Sequence, residues 1–241
     1  MEDAVVLRSF FVDTRGRPLD GIAGNATFLE MGAFDGLRES ESLFFERCLG
    51  FRGILVEAHP LSFQKLLSVR KVSLNVRLAV CARFGWVNFT GPPESYSRAN
   101  TSRMPLPKWA EAHVERYERQ TRHPMLIRCG PLGHYLHRLG VDRIDYMSLD
   151  VEGSELAAVK SLIDPKYSIS VGVLMVEVRG DGQRKPISET LLAAGLHFVG
   201  QIYGRPSPAN EVVSDVFLNL THMRLHFPAS RVCATESTRV R

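Results

Sequence analysis

The nine residues from 28 to 36 constrain the fold of this chain more than any other segment. They predict a buried strand that ends at Glu30, followed by a turn that contains Gly32, Asp35 and Gly36. Glycines at a strand-to-helix turn let a ligand approach the backbone, and the helix that follows offers unpaired N–H groups. The two carboxylates disfavour a pyrophosphate and favour a positively charged ligand, such as S-adenosylmethionine with its ammonium and sulfonium groups. A tight turn with solvated carboxylates would give the same short pattern.

A second predicted strand, over residues 53–57, also ends in a carboxylate. Glu57 follows Gly36 by 21 residues, which leaves room for a helix and a loop between the two strands. In nucleotide-binding α/β sheets, an acidic residue at the tip of the second strand accepts hydrogen bonds from the ribose hydroxyls. Two acidic strand ends at this separation favour a nucleoside site. His59, beside Pro60, is interpreted as a turn residue.

Strand-like and helix-like segments alternate along most of the chain. This alternation predicts an α/β fold with a doubly wound, mostly parallel sheet and right-handed crossovers. We expect a single domain over residues 25–222, with an N-terminal extension at 1–24 and a C-terminal tail at 223–241. The proline-containing segment 91–124 interrupts the alternation and predicts a lid-like insertion with a helix at 109–121. A salt-bridged surface helix explains most of the charges in that segment.

Acidic residues cluster at one edge of the predicted sheet. Ligands of such sheets bind outside the carboxyl ends of the strands. Asp150 ends a predicted strand over 144–150, and Glu177 lies near the end of another over 171–178. Chance would distribute acidic residues over both ends of the sheet, so their clustering predicts an active site. We call this set the acidic rim: Glu30, Asp35, Glu57, Asp150, Glu152 and Glu177.

Four ordered motifs resemble those of FkbM-type methyltransferases. They are Phe28-Leu29-Glu30-x-Gly32-Ala33-x-Asp35-Gly36, Ser40-x-Ser42-Leu43-x-x-Glu46, Gly53-x-Leu55-Val56-Glu57-x-His59-Pro60 and Ile144-Asp145-x-x-x-Leu149-Asp150-Val151-Glu152-Gly153-x-Glu155. The resemblance implies a Rossmann-like sheet of seven strands, six of them parallel and one reversed near the edge. It also implies S-adenosylmethionine as methyl donor and a hydroxyl group on a small molecule or saccharide as acceptor.

The resemblance also implies individual roles in cofactor binding. Glu57 would hold the ribose, Ala58 would flank the adenine, and Val80 would lie along the adenine edge. The methionine portion would be surrounded by five residues at the first turn: Glu30, Gly32, Ala33, Asp35 and Gly36. Ser40 is assigned to the same site. The chain departs from the family pattern at two positions, with Glu41 in place of Asn and Ala58 in place of Pro.

Asp150 is the first candidate for the catalytic base or a metal ligand, because it ends the strand nearest the expected methyl position and would also border the cofactor. Glu152 and Glu177 are the next candidates. Three such carboxylates could hold a divalent cation such as Mg²⁺, although the sequence assigns no metal site. Glu155 is interpreted as a helix first-turn residue. No Ser-His-Asp arrangement is evident from the sequence.

Two other functions remain open. The altered positions 41 and 58 and the basic insertion would suit a non-catalytic relative that binds a protein or an anion, although the intact acidic rim argues against it. A nicotinamide-dependent enzyme on a similar sheet is disfavoured, because the chain lacks a Gly-x-Gly-x-x-Gly turn and its carboxylates would repel the pyrophosphate.

Charge gives limited information about partners. The 241 residues carry a net charge of +4 and the sequence pI is about 9.0, which is too weakly basic for a dedicated nucleic-acid binder. The positive excess lies between Arg98 and Arg143, where there are nine Lys and Arg against four Asp and Glu. This segment would attract an acidic acceptor. The sequence does not indicate an oligomeric state.

The features that bear on compartment disagree. No apolar stretch approaches the ~20 residues of a membrane span, and the amino terminus does not resemble a signal peptide. The chain has four cysteines: Cys48, Cys81, Cys129 and Cys233. Three of them lie in apolar patterns that are typical of reduced core thiols, so we expect a cytoplasmic protein without a disulfide framework. However, four of six asparagines lie in Asn-x-Ser/Thr triplets, which favours a secretory lumen if a leader or anchor precedes this chain: Asn25, Asn88, Asn100 and Asn219.

Overall fold

The computed structural model describes residues 2–20, 22, 24–90, 98–99, 125–178, 180–203 and 213–232. The strands are β1 (Thr27–Met31), β2 (Arg52–Glu57), β3 (Leu74–Arg77), β4 (Ala79–Val80), β5 (Gly85–Thr90), β6 (Arg98–Ala99), β7 (Met125–Gly130), β8 (Arg143–Leu149), β9 (Ser170–Val178), β10 (His197–Tyr203) and β11 (Val213–Leu218). The helices are α1 (Glu2–Phe10), α2 (Leu43–Leu49), α3 (Pro60–Val69), α4 (Leu132–Arg138), α5 (Glu155–Leu162), α6 (Asp181–Ala193) and α7 (Leu220–His226), and Pro165–Tyr167 forms a 3-10 turn.

Seven strands form the main sheet, in the order β10-β11-β9-β8-β1-β2-β3. The pairs from β9 to β3 are parallel, whereas β11 is antiparallel to both β9 and β10. The central strands are long apolar runs because helices cover both of their faces. The prediction of a doubly wound, seven-stranded sheet with one reversed strand near the edge is confirmed.

Side chains of successive strand residues enter two separate cores. Leu29 and Met31 pack with α4, α5 and α6 on one face, whereas Phe28 packs with α1, α2, α3 and α7 on the other. This alternation follows from the two-residue period of a strand. The helices on both faces leave the carboxyl edge of the sheet as the place where loops converge.

The N-terminal segment contributes to the second core. Helix α1 buries Val6 and Phe10 there, and the following Phe11 makes edge-to-face contacts with Phe45, Phe51 and Phe227. The sequence pattern predicts neither α1 nor α7. Both helices are shorter than ten residues, so they depend on this packing more than on helix propensity.

A second sheet of four strands has the order β4-β7-β5-β6. The parallel pairing of β4 with β7 brings together Cys81 and Cys129, which form a disulfide. The expectation that these two cysteines are reduced core thiols is therefore wrong. Their separation of 48 residues hid the pairing, which depends on long-range strand contacts. Cys48 is a free, exposed cysteine and not a core residue.

The sequence predicts a lid-like insertion over residues 91–124. Apart from β6, the segment 91–124 with its helix at 109–121 lies outside the described residues.

Candidate active site

The carboxyl ends of four neighbouring strands place the predicted site residues side by side. Met31 is aligned with Val56 on one side and with Leu149 on the other, and Leu149 is aligned with Val176. The residues that follow these four form a row across the sheet edge: Glu57, Gly32, Asp150 and Glu177. With strands spaced ~4.8 Å apart, the row spans about 14 Å. The structure therefore brings the carboxylates of β2, β8 and β9 to one edge.

Backbone hydrogen bonds hold this row together beyond the strands themselves. The N–H of Asp150 donates to the carbonyl of Met31 at 3.0 Å. The N–H groups of Gly32 and Ala33 both donate to the carbonyl of Val56, at 2.9 and 3.1 Å. The chain after β1 therefore bends over the end of β2, which places the predicted cofactor turn between β8 and β2.

Gly32 is required by this arrangement. It is exposed and has a φ of 86°, in the region that glycine adopts readily. A Cβ atom at this position would lie 1.8 Å from the carbonyl oxygen of Asp150. Its exposed backbone thus gives a ligand access to the sheet edge without an intervening side chain. Gly36, further along the turn, packs against Leu66 and Arg70.

The turn itself is internally bonded. Asp35 Oδ1 accepts hydrogen bonds from the N–H groups of Leu37 and Arg38, at 3.0 and 2.8 Å. Phe34 and Glu39 have φ values of 48° and 55°, which are unfavourable for residues with side chains. Strained backbone of this kind is held by its surroundings and is common at ligand sites. Asp35 therefore shapes the predicted cofactor turn.

Glu57 links the tip of β2 to the same turn. Its Oε2 accepts a hydrogen bond from the N–H of Phe34 at 2.9 Å, and its Oε1 accepts one from the N–H of His59 at 2.6 Å. Burial raises the pKa of Glu57 to about 7, although these hydrogen bonds act in the opposite direction. His59 caps α3, its Nδ1 accepting from the N–H of Leu61 at 3.2 Å, which agrees with its interpretation as a turn residue.

Glu30 points into a buried polar network below the turn. Its carboxylate accepts hydrogen bonds from the Ser40 hydroxyl and the Glu41 N–H, both at 2.9 Å, and from the Ser42 hydroxyl. The guanidinium of Arg70 lies 3.9 Å from Glu30. Burial raises the pKa of Glu30. The structure thus gives Glu30 and Ser40, both predicted to contact the cofactor, partners within the protein.

Arg70 was not identified from the sequence, yet it is central to this network. It is fully buried, and its Nε donates to Glu46 at 2.9 Å. It also donates to the carbonyl of Gly36 at 3.1 Å and to the hydroxyls of Ser40 and Ser42, each at 3.0 Å. A buried charge must be paired in this way. Arg70 therefore fixes the far side of the cofactor turn.

Position 41 departs from the family pattern, and its surroundings are unusual. The Oε2 atom of Glu41 and the hydroxyl of Tyr146 are both buried, and neither has a hydrogen-bond partner in the part of the chain that the structure describes. Burial and the negative charges of Glu2 and Glu30 raise the pKa of Glu41 to about 8. Glu41 is therefore largely protonated at neutral pH.

Asp150 and Glu177 interact at the ends of β8 and β9. Burial holds the pKa of Asp150 well above its usual range, and the negative charges of Glu177 and Glu152 and a hydrogen bond with Glu177 act in the same direction. Glu152 has a φ of 53° in the turn that follows. Within the described residues, no group of three His, Cys, Asp or Glu side chains is arranged to hold a metal ion.

The remaining predicted residues occupy structural positions near the rim. Glu155 Oε1 accepts hydrogen bonds from the N–H groups of Val151 and Gly153, at 3.1 and 3.0 Å, so it shapes the turn after β8. Val80 is buried at the end of β4, where Ala58 packs against the small core of the second sheet. The predicted adenine edge therefore lies where the two sheets meet.

The structure also shows an arrangement that the sequence did not reveal. Ser170 Oγ lies 2.8 Å from His222 Nδ1, and His222 Nε2 lies 2.9 Å from Asp145 Oδ1. These residues belong to the starts of β9 and α7 and to the beginning of β8, at the edge opposite the acidic rim. Asp145 also accepts hydrogen bonds from Thr27 and Arg143. The chain of bonds joins α7 to the sheet.

A sequence model of the methyltransferase FkbM domain matches residues 30–191, about two thirds of the chain. The chain belongs to the FkbM methyltransferase domain family. This match includes the turn after β1, Glu57, Asp150 and Glu177. Comparison with curated protein sequences gives no match.

The chain is also similar to solved structures. The FkbM methyltransferase of Methylobacillus flagellatus KT is 15% identical with a TM-score of 0.51, covering 79% of this chain and 43% of that one. Fibrillarin of Aeropyrum pernix with bound S-adenosyl-L-methionine has a TM-score of 0.45 at 13% sequence identity, and the match covers 82% of this chain and 68% of that one. Precorrin-6y C5,15-methyltransferase of Geobacter metallireducens has a TM-score of 0.45 at 11% sequence identity, and the match covers 90% of this chain and 86% of that one. Only the first score exceeds 0.5, and it supports the fold alone. This chain spans less than half of that Methylobacillus protein.

Within the described segments, no helix has the length and apolar character that crossing a bilayer requires.

Proposed function

We propose that this FkbM domain transfers a methyl group from S-adenosylmethionine to a hydroxyl group on a small molecule or saccharide. The observation that carries the proposal is the row formed by Glu57, Gly32, Asp150 and Glu177 at the carboxyl edge of the sheet. The row combines one exposed glycine backbone with three carboxylates. Such an edge suits a cationic nucleoside and disfavours an anionic one, so a nicotinamide dinucleotide is again the weaker candidate.

The residues present fit this cofactor. The close approach of Gly32 to Asp150 leaves backbone rather than side chain beneath the ligand. Glu57 accepts hydrogen bonds from the backbone N–H groups of Phe34, His59 and Ala58, and a carboxylate with about four acceptor sites retains one for a ribose hydroxyl. Gly32, Ala33, Asp35 and Gly36 would surround the methionine portion. Glu30 and Ser40 would support this turn from below through Arg70.

When bound, S-adenosylmethionine supplies an activated methyl group whose carbon is attacked by the acceptor oxygen as its bond to sulfur breaks. Asp150 would accept the proton of the acceptor hydroxyl, with Glu177 holding Asp150 in position. Asp150 must be ionised to do so, and the positive charge of the cofactor beside it would lower its raised pKa. Glu152 would face the same space from the turn after β8. A divalent cation would be an alternative means of lowering the hydroxyl pKa.

The test compares Asp150→Asn with the unchanged chain. We expect Asp150→Asn to lower methyl transfer by about 10²–10⁴-fold, as for loss of a general base, while the Kd for S-adenosylmethionine changes by only a few fold. Calorimetry measures the Kd, and transfer of labelled methyl to a panel of saccharides and small hydroxylated acceptors measures turnover. Equal loss of binding and turnover would make Asp150 a cofactor contact. No calorimetric binding at high micromolar cofactor would reject the methyltransferase function itself.

A non-catalytic domain that binds a protein or an anion is the second candidate. It is favoured by Glu41 and Ala58, and by the use of Glu30 within the protein rather than toward a ligand. The same calorimetric measurement decides between the two functions, because a scaffold would show no cofactor binding. As part of the methyltransferase function, we also propose that the acceptor is acidic and is attracted by the basic segment 98–143.

The compartment also requires a proposal. The disulfide between Cys81 and Cys129 favours a secretory lumen over the cytoplasm. We propose the secretory lumen, because the surface of the protein also exposes Asn-x-Thr triplets.

A further inference from the structure

We infer that Asn25 and Asn88 are sites of N-linked glycosylation and that the protein folds in an oxidising secretory compartment. Both residues lie in Asn-x-Thr triplets, and both are exposed. A triplet is an acceptor only if it enters a secretory lumen and only if the folded surface leaves room for a sugar chain. The structure meets the second condition at both positions, and the disulfide bears on the first.

Asn88 stands on the outer face of the second sheet. Trp86 and Asn88 on β5 are aligned with Arg128 and Leu126 on β7, and all four residues are exposed. The residues between them point to the other face, where Val87, Ile127 and Cys129 are buried. The period of two along each strand therefore directs the Asn88 side chain into solvent and away from the core.

The same face carries apolar surface that a glycan would cover. Trp86 is 60% exposed and Leu126 is 61% exposed, and Asn88 lies directly opposite Leu126 and two residues from Trp86. Exposed apolar side chains of this size can be covered by a partner. The guanidinium of Arg128 lies over the Trp86 ring, 5.5 Å from its centroid, and the C–H face of a sugar attached to Asn88 would lie on the part of the indole that stays exposed. One covalent modification at Asn88 would thus shield both side chains.

The disulfide is an independent observation on the same sheet. Cys129 is aligned with Gly85, three residues before Asn88, and is bonded to Cys81 at the end of β4. Cytosolic reductants keep most thiols reduced, whereas the secretory pathway forms and preserves disulfides. The disulfide and the exposed acceptor triplets point to the same compartment, because both modifications are made in the secretory lumen.

Asn25 lies on a different surface, in the turn before β1. It is exposed beside the exposed Gly24, and among the described residues its backbone N–H donates to the carbonyl of Ile22 at 3.4 Å. Asn219 contrasts with both sites, because it is half-buried and its Oδ1 accepts a hydrogen bond from the N–H of His222 at 3.0 Å to cap α7. Exposure therefore singles out two of the three triplets within the described residues.

The test uses protein purified from its own source. Release of N-glycans by an amidase in ¹⁸O-labelled water converts each glycosylated Asn to labelled Asp, which peptide mass spectrometry detects. We expect label at Asn25 and Asn88, and none at Asn75, which lies outside any triplet and controls for spontaneous deamidation. Alkylation before reduction should leave Cys81 and Cys129 unmodified. Unlabelled Asn25 and Asn88 would overturn the glycosylation, and alkylated Cys81 and Cys129 would overturn the compartment.

Variants produced in the same cells make the assignment site by site. Asn25→Gln and Asn88→Gln should each lower the apparent mass in electrophoresis by that of one glycan. Asn75→Gln should leave the apparent mass unchanged. Thr90→Ala breaks the second triplet and keeps Asn88, so it must give the same shift as Asn88→Gln. Thr27 is not used in this way, because its hydroxyl contacts Arg143 and Asp145. Unchanged mobility of Asn88→Gln and Thr90→Ala together would refute modification at Asn88.

Discussion

At Gly32, the absence of a side chain decides the geometry of the site. Two separate constraints act at Gly32: its backbone φ is 86°, and an added Cβ atom would lie 1.8 Å from the Asp150 carbonyl oxygen. Gly24 shares the first constraint, with a φ of 80°, but a Cβ atom there would meet nothing within 4 Å. The two glycines therefore separate the effect of conformation from the effect of crowding.

We predict that Gly32→Ala weakens S-adenosylmethionine binding at least tenfold and destabilises the fold by about 1–3 kcal/mol beyond the cost of Gly24→Ala, because β1 and β8 must move apart. Gly24→Ala should cost about 1–2 kcal/mol for the left-handed conformation and leave the Kd unchanged. Calorimetry and urea unfolding measure the two quantities. Equal effects of the two substitutions would show that conformation alone makes Gly32 necessary.

Arg70 controls the opposite side of the same turn. Its removal would leave Glu30 and Glu46 buried without their cation. We predict that Arg70→Met lowers the free energy of unfolding by about 3–5 kcal/mol, as for other broken buried ion pairs. Arg52→Met replaces an exposed arginine and should change it by less than about 0.5 kcal/mol. A similar small change for Arg70→Met in urea titrations would mean that the network contributes little.

The sequence reveals some of these residues and conceals others for a physical reason. Gly32, Glu57 and Asp150 lie next to apolar strands, so their position at the sheet edge follows from the local pattern. Arg70 ends an ordinary helix, and only the tertiary fold brings it to Glu30, forty residues away. The hydrogen-bonded chain of Ser170, His222 and Asp145 is concealed in the same way.

At the scale of elements, the two sheets differ in what supports them. Strands β1, β2, β8 and β9 are paired on both sides and covered by helices, and their existence was predictable. Strand β4 has only two residues, and beyond its pairing with β7 it is held by the Cys81–Cys129 disulfide. The disulfide therefore supports the region where Val80 and Ala58 form the proposed adenine edge.

We predict that replacing both Cys81 and Cys129 with Ala lowers the free energy of unfolding by about 2–4 kcal/mol, the usual effect of losing a native disulfide. The Kd for S-adenosylmethionine should rise at the same time, because the adenine edge loses its tie to β7. Cys48→Ala removes a free, exposed cysteine and should change neither quantity. Reductant should destabilise the unchanged chain and leave the double variant unaffected. If reductant has no effect on either protein, the bond has no role in stability.

At the scale of the whole molecule, two buried glutamates make stability depend on pH. Burial raises the pKa of Glu57 to about 7, and burial with neighbouring charge raises that of Glu41 to about 8. An unfolded Glu titrates near ~4.3. Between these values the folded chain binds protons that the unfolded chain has released, so stability falls as pH rises. Each group contributes up to about 1.4 kcal/mol per pH unit within its window.

We predict that the Tm, measured without cofactor, declines as pH rises from about 5 to 8, and that Glu41→Gln makes the decline shallower. The amide cannot ionise, so the buried site no longer has a charge to desolvate above neutral pH. Glu39→Gln removes one carboxylate from an exposed position in the same loop and should leave the slope as it is. Since S-adenosylmethionine is cationic, saturating cofactor should raise the Tm more at pH 8 than at pH 5. Parallel Tm curves for Glu41→Gln and the unchanged chain would show that Glu41 titrates normally in the folded protein.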